Sequence, residues 1–141
     1  MTLNEKYHIL LVDDEECVRY TLTQYLKDAG YEVKTASGLS EAYAHFETND
    51  FDIAIIDRML SDGENGLELM RSIRNSNPHC QTILISAYPS VDSAAESVRH
   101  DNFAYLIKPV RKADILTTVA SAAKRAGQRG TSTLLTHNAI I

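Results

Sequence analysis

The chain is poor in the features that would place it in several large classes. Of its 141 residues only two are cysteine, Cys17 and Cys80, which excludes a disulfide framework and suits a reducing, cytoplasmic setting. It has no run of about 18 apolar residues, so no helix is expected to span a membrane. Met1 to His8 is polar and lacks the basic-then-apolar pattern of a signal peptide. A basic excess is missing too: the formal charge is −5, which disfavours direct binding of nucleic acid or an anionic membrane. There is no glycine-rich phosphate loop, so ATP or NAD has no support. His8, His45, His79, His100 and His137 are scattered without metal-ligand spacing, which argues against zinc. Free thiols, buried or half-buried, are the expectation for Cys17 and Cys80.

What the chain does have is an ordinary globular balance, 44% hydrophobic and 23% charged, at the length of about one domain. A chain of this size buries about two-thirds of its unfolded surface, enough for a core without staples. Five short apolar runs recur, each followed by a stretch of helical period. The runs are Ile9–Val12, Tyr31–Thr35, Ile53–Ile56, Ile83–Ile85 and Tyr105–Ile107. Val18, Leu22, Tyr25, Leu26 and Ala29 mark the first helix, and Gly30 ends it as a C′ glycine does. Leu39, Ala42, Tyr43 and Phe46 mark the second, with Ser37 a candidate N-cap. Leu67, Met70 and Ile73 mark the third, and Val91, Ala94, Ala95 and Val98 the fourth. Ile115, Leu116, Val119, Ala122 and Ala123 mark the last.

Alternating strands and helices imply right-handed βαβ units and an α/β fold with a parallel sheet. The first, third and fourth runs are continuously apolar, as when helices cover both faces, whereas the second alternates and belongs at an edge. This matches a doubly wound, flavodoxin-like five-stranded sheet of order 2-1-3-4-5. From Gly127 to Thr133 the composition reads as a flexible linker. Residues 1–126 are therefore expected to form the domain, and 127–141 a flexible tail or the start of a linker to an output domain.

In such a sheet the site lies at the C-terminal ends of the strands. The first strand runs into Asp13 and Asp14, followed by Glu15 and Glu16. The third ends in Asp57, the fourth in Ser86-Ala87 and the fifth in Lys108-Pro109. Clustered carboxylates repel unless a cation sits among them, and hard oxygen donors suit Mg2+. A carboxylate can also act as a nucleophile toward phosphorus, with Mg2+ and Lys108 neutralising charge and Ser86 donating a hydrogen bond. Each residue has a blander role: Asp14 as a helix cap, Asp57 in a turn, Ser86 as a strand-end hydroxyl, Lys108 as a solvated loop lysine. Their joint arrival at four strand ends favours the site.

At these residues the sequence resembles the receiver domain of two-component response regulators. The resemblance covers about residues 7 to 126 and is carried by Leu11-Val12-Asp13-Asp14-Glu15, Ile55-Ile56-Asp57, Ile85-Ser86-Ala87 and Tyr105-Leu106-Ile107-Lys108-Pro109. It implies a phosphoprotein of a phosphorelay rather than an enzyme. Asp57 is the implied phosphoacceptor, served by a sensor histidine kinase or a phosphotransfer protein. Asp14 and Asp57 are implied Mg2+ ligands, Asp13 one acting largely through water, and the Met59 carbonyl a further one. Lys108 would pair with the phosphoryl group across a cis bond to Pro109. Ser86 and Tyr105 would be the switch residues, remodelling a face made by the fourth helix, fifth strand and last helix. The resemblance also allows a homodimer on phosphorylation; the output domain or protein is not readable.

Ser61 stands where the family usually has proline, and the segment Ser61–Gly66 is one residue longer than usual, which affects the loop over the site. Asp101-Asn102 replaces a small pair, and both residues can adopt the left-handed conformation. Met59 and Tyr88 occupy positions that, by the resemblance, tune phosphoryl loss in this family; neither can orient an attacking water, which implies a long-lived phosphorylated state. Two other readings stand beside this one. The first is a Mg2+-dependent phosphatase, disfavoured because Met59 is no acid. The second is an interaction domain with a vestigial site, disfavoured by the intact residue set.

Overall fold

A computed structural model describes residues 6–87 and 104–140, with side chains described as far as residue 127. Its elements follow in the order β1 (His8–Val12), α1 (Glu16–Asp28), β2 (Glu32–Ala36), α2 (Leu39–Thr48) and β3 (Ile53–Asp57). A 3-10 turn (Ser61–Gly63) leads to α3 (Gly66–Ser76) and β4 (Gln81–Ser86). β5 (Ala104–Ile107) and α4 (Lys112–Ile140) complete the described residues. The apolar stripe Val91–Val98, Tyr88 and Asp101-Asn102 lie outside them.

Among the described residues all four strand pairings are parallel, and the order is β2-β1-β3-β4-β5, the doubly wound arrangement expected from the strand compositions. Residue alternation explains how it is covered. Leu10, Val12, Ala54, Ile56 and Leu84 face one side, packed under Leu39 and Ala42 of α2 and Leu67, Met70 and Ile73 of α3. Ile9, Leu11, Ile53, Ile55, Ile83 and Ile85 face the other, under Leu22 and Leu26 of α1 and Ile115, Val119 and Ala122 of α4. Each buried aliphatic chain contributes about 1.5–3 kcal/mol. β2 lies at the edge, where Glu32 and Lys34 face solvent.

Gly30 ends α1 in a Schellman motif. Its N–H donates to Lys27 O at 2.9 Å and the Tyr31 N–H to Leu26 O at 3.1 Å. The φ of +102° at Gly30 is one that only glycine adopts without cost. Local sequence cues elsewhere are redirected. Ser37 does not cap α2, whose N-cap position is Gly38; both its N–H and its hydroxyl donate to Glu41 Oε1 instead. Cys80 is buried, but Cys17 is exposed, because the α1 stripe of Val18, Leu22 and Leu26 turns it away from the sheet. The backbone of α4 stays helical past Gly127, where composition alone leads one to expect a flexible segment. No helix among the described residues is long and apolar enough to cross a membrane.

Candidate functional site

Sheet register assembles the site. Val12 pairs with Ile56, so the next residues, Asp13 and Asp57, leave adjacent strands at one level. Asp57 pairs with Ile85, which puts Ser86 one step on. Ser86 pairs with Ile107, so Lys108 follows directly; the Lys108 N–H donates to Ser86 O at 2.8 Å and fixes that exit. The Lys108–Pro109 peptide is cis.

Asp13 is 0% and Asp57 4% exposed. The Asp57 carboxylate is held at both oxygens: Oδ1 accepts from the Met59 N–H at 3.1 Å and Oδ2 from Lys108 Nζ at 3.0 Å. In Asp13, Oδ1 accepts from the Glu15 N–H at 2.8 Å, and Oδ2 lies 2.9 Å from Lys108 Nζ. That second oxygen is buried and makes an ion pair without hydrogen-bond geometry. Glu15 extends the pairing, 3.8 Å from the same ammonium. Arg19 Nη1 donates to the Asp13 carbonyl at 2.7 Å, tying the turn to α1.

Burial raises the Asp57 pKa from 3.8 to about 6, and the Asp13 charge adds to the rise; the hydrogen bond from Lys108 opposes it. Burial acts to lower the Lys108 pKa, but the carboxylates of Asp13 and Asp57 outweigh it and the ammonium is held above its ordinary value. At neutral pH the pair is therefore a carboxylate and an ammonium, the ionisation a nucleophile and its charge partner need.

Asp14 is half-buried and does not cap α1: the N-cap residue is Glu15, without a side-chain cap bond. Asp13, Asp14 and Asp57 bring one carboxylate oxygen each within 4.8 Å of one another. Three hard oxygen donors gathered this closely, with one ammonium to balance them, fit a divalent cation of the Mg2+ kind. Met59 lies at the mouth, 59% exposed, and bridges to Asn65. Ser86 is buried at the end of β4. Tyr105 is half-buried and packs on the α2–α3 side of the sheet, with a buried hydroxyl that has no partner among the described residues.

The loop after Asp57 is where sequence reasoning fell short. Gly66 opens α3 hard against β3, and a Cβ there would collide with the Asp57 carbonyl oxygen and with Ile56. Asn65 caps α3, its Oδ1 accepting from the Leu67 N–H and from Arg58 Nη1, each at 2.9 Å. Ser61 Oγ donates to Asp14 Oδ2 at 2.5 Å, and Glu64 Oε1 accepts from the Leu39 N–H at 3.0 Å, capping α2. The altered loop signalled a change at Ser61 but not either bond, since the partners lie 47 and 25 residues away.

A doubly wound parallel sheet with an acidic cluster and a lysine at its strand ends defines a small class of α/β proteins. Residues 9–120 match the family described as the response regulator receiver domain, and the chain belongs to that family, the receivers of two-component signalling. It is 35% identical over 109 residues to the alginate biosynthesis transcriptional regulatory protein AlgB of Pseudomonas aeruginosa, covering 77% of this chain and 24% of that protein. It thus spans about a quarter of the length of such relatives. A CheY-like receiver domain protein from Methanospirillum hungatei JF-1 superimposes with a TM-score of 0.83 at 28% identity, over 89% of this chain and 99% of that one. A Burkholderia pseudomallei response regulator, solved with a phosphorylated aspartic acid, a calcium ion and citrate, gives 0.75 at 25% identity, over 92% and 74%.

Proposed function

We propose that this chain accepts a phosphoryl group on Asp57 from a phosphohistidine of a sensor histidine kinase or a phosphotransfer protein. The observation that carries the proposal is the Lys108 ammonium set between two buried carboxylates, 3.0 Å from Asp57 and 2.9 Å from Asp13. A carboxylate oxygen of Asp57 attacks phosphorus, the P–N bond breaks, and the imidazole leaves with its electron pair and takes a proton from solvent. Lys108 then follows the negative charge from the carboxylate to the phosphoryl oxygens, and Ser86, at the adjoining strand end, donates a hydrogen bond to one of them.

Asp13, Asp14, Asp57 and the Met59 carbonyl would hold Mg2+, which when bound supplies charge neutralisation at the phosphoryl oxygens. The phosphorylated aspartate and the cation of the Burkholderia protein support the same assignment here. A cleft of about 400 Å3 beside Lys108, lined by Cys17, Val18, Leu22, Pro109 and Val110, offers apolar contact to the donor protein. Ser86 and Tyr105 are the switch pair, read out on β5, α4 and the segment between β4 and β5. Residues 127–141 then serve as a tail or as the connection to an output domain or protein. The setting is cytoplasmic, with no nucleic acid or membrane bound by this domain and a homodimer compatible with the phosphorylated state. Turnover as a phosphatase is not favoured, since Met59 brings no acid to the leaving group.

Incubation with acetyl phosphate and Mg2+, followed by intact-mass spectrometry, tests the reading. One phosphoryl adduct is expected on the native chain and none on Asp57→Asn; absence of the adduct from a folded native chain would reject it.

A further inference from the structure

The loop between β3 and α3 is built as a closed strap. Its ends are joined by backbone bonds from Leu60 N–H to Glu64 O at 3.0 Å and from Gly66 N–H to Arg58 O at 2.9 Å. The turn between them uses left-handed conformations at Asp62 (φ 62°) and Gly63 (φ 75°). Leu60 is buried beneath it. Two side chains leave the strap in different directions. Ser61 donates to Asp14 Oδ2 at 2.5 Å, within the short range of hydroxyl–carboxylate bonds. Glu64 accepts from the Leu39 N–H at 3.0 Å, where its charge also suits the N-terminal dipole of α2.

Among the described residues, no other side chain hydrogen-bonds to the Asp14 carboxylate, and α1 does not use it as a cap. We infer that Ser61 is a positioning residue of the cation site, fixing the rotation of the Asp14 carboxylate, and that Glu64 acts through it by anchoring the strap to α2. The inference rests on the reading of Asp13, Asp14 and Asp57 as cation ligands. A carboxylate on a turn, half-exposed and otherwise unheld, loses orientational freedom when it ligates an ion. A strap that removes this freedom beforehand tightens binding, and loss of such an orienting partner typically costs 10–100-fold in metal affinity. Because Ser61 is itself exposed, its removal leaves the core intact.

The test is calorimetric titration of the chelator-stripped full chain with Mg2+. Asp14→Asn should abolish binding. Ser61→Ala should weaken it about tenfold or more, with Ser61→Thr restoring the native value. Glu64→Ala should weaken it in the same direction, and the double variant Ser61→Ala/Glu64→Ala should bind no more weakly than Ser61→Ala alone. Native affinity in Ser61→Ala, or tighter binding, would overturn the inference while leaving the cation site standing. No binding by the native chain would instead reject the site itself. Additive losses in the double variant would reject the route from Glu64 through Ser61.

Discussion

Lys108 Nζ lies 3.0 Å from Asp57 Oδ2, and the same ammonium is 2.9 Å from Asp13 Oδ2. One cation thus serves two buried carboxylates, so the site carries an unbalanced negative charge before Asp14 is counted. Removing one partner of a buried pair leaves the other charge uncompensated, which typically costs about 3–5 kcal/mol. Lys108→Met should therefore lower stability by about 3 kcal/mol in urea titrations at pH 7 with chelator present. A loss under about 0.5 kcal/mol, within the range of exposed pairs, would show that the ammonium does not hold the site together.

The imbalance has a pH signature. Burial lifts the Asp57 pKa from 3.8 to about 6, so between those values the folded chain binds a proton that the unfolded chain has released. By linkage, the cost of burying this charge is absent below about pH 4, builds as pH rises from there to about 6, and is constant above that. Asp57→Asn removes the ionisable group, so the metal-free variant should exceed the native chain by about 3 kcal/mol at pH 7.5, the rise of about two pKa units at ~1.4 kcal/mol each. The gap should close near pH 4. A gap that widens on acidification would mean that the Asp57 charge stabilises the fold.

A cation should do what a proton does. Mg2+ at about 100 times its dissociation constant is expected to stabilise the native chain by about 2.7 kcal/mol. Asp13→Asn and Asp14→Asn should each abolish most of that gain. The midpoint of thermal unfolding, with and without Mg2+, reads both effects, and equal stabilisation of native chain and variants would place the ion elsewhere.

Gly66 has no room for a side chain, since a Cβ would meet the Asp57 carbonyl and Ile56. Gly66→Ala should cost about 1–3 kcal/mol, as overpacking does, and slow phosphorylation of Asp57 by shifting the end of β3. An Ala variant of native stability and phosphorylation rate would mean that α3 moves away freely.

Met59, exposed at the mouth of the site, cannot orient a water toward phosphorus, and Tyr88 is expected to share in that deficiency. The phosphorylated chain should accordingly be long-lived, and Tyr88→Glu should shorten its half-life several-fold. Rapid decay of the native phosphoprotein, unchanged in that variant, would contradict the expectation.

The site was legible because its residues end continuous apolar runs. Once Ile9–Val12 and Ile53–Ile56 are strands of one parallel sheet, register alone brings Asp13 beside Asp57. Ser86 and Lys108 follow by the same argument from β4 and β5. The Schellman end of α1 was legible at Gly30 because the signal is local. The exposure of Cys17 was not, since one residue of helical phase separates a covered position from an open one. Nor were Ser61–Asp14 and Glu64–Leu39, which depend on where a short irregular loop lands in space.

Treating the phosphorylated chain with hydroxylamine and mapping the peptides by mass spectrometry tests the central claim most directly, because an acyl phosphate marks its own carboxyl group as a hydroxamate. A hydroxamate on Asp57 alone is the predicted result. A hydroxamate on Asp13 or Asp14, or a hydroxylamine-stable phosphate on Ser86, would contradict the assignment of Asp57 as the acceptor.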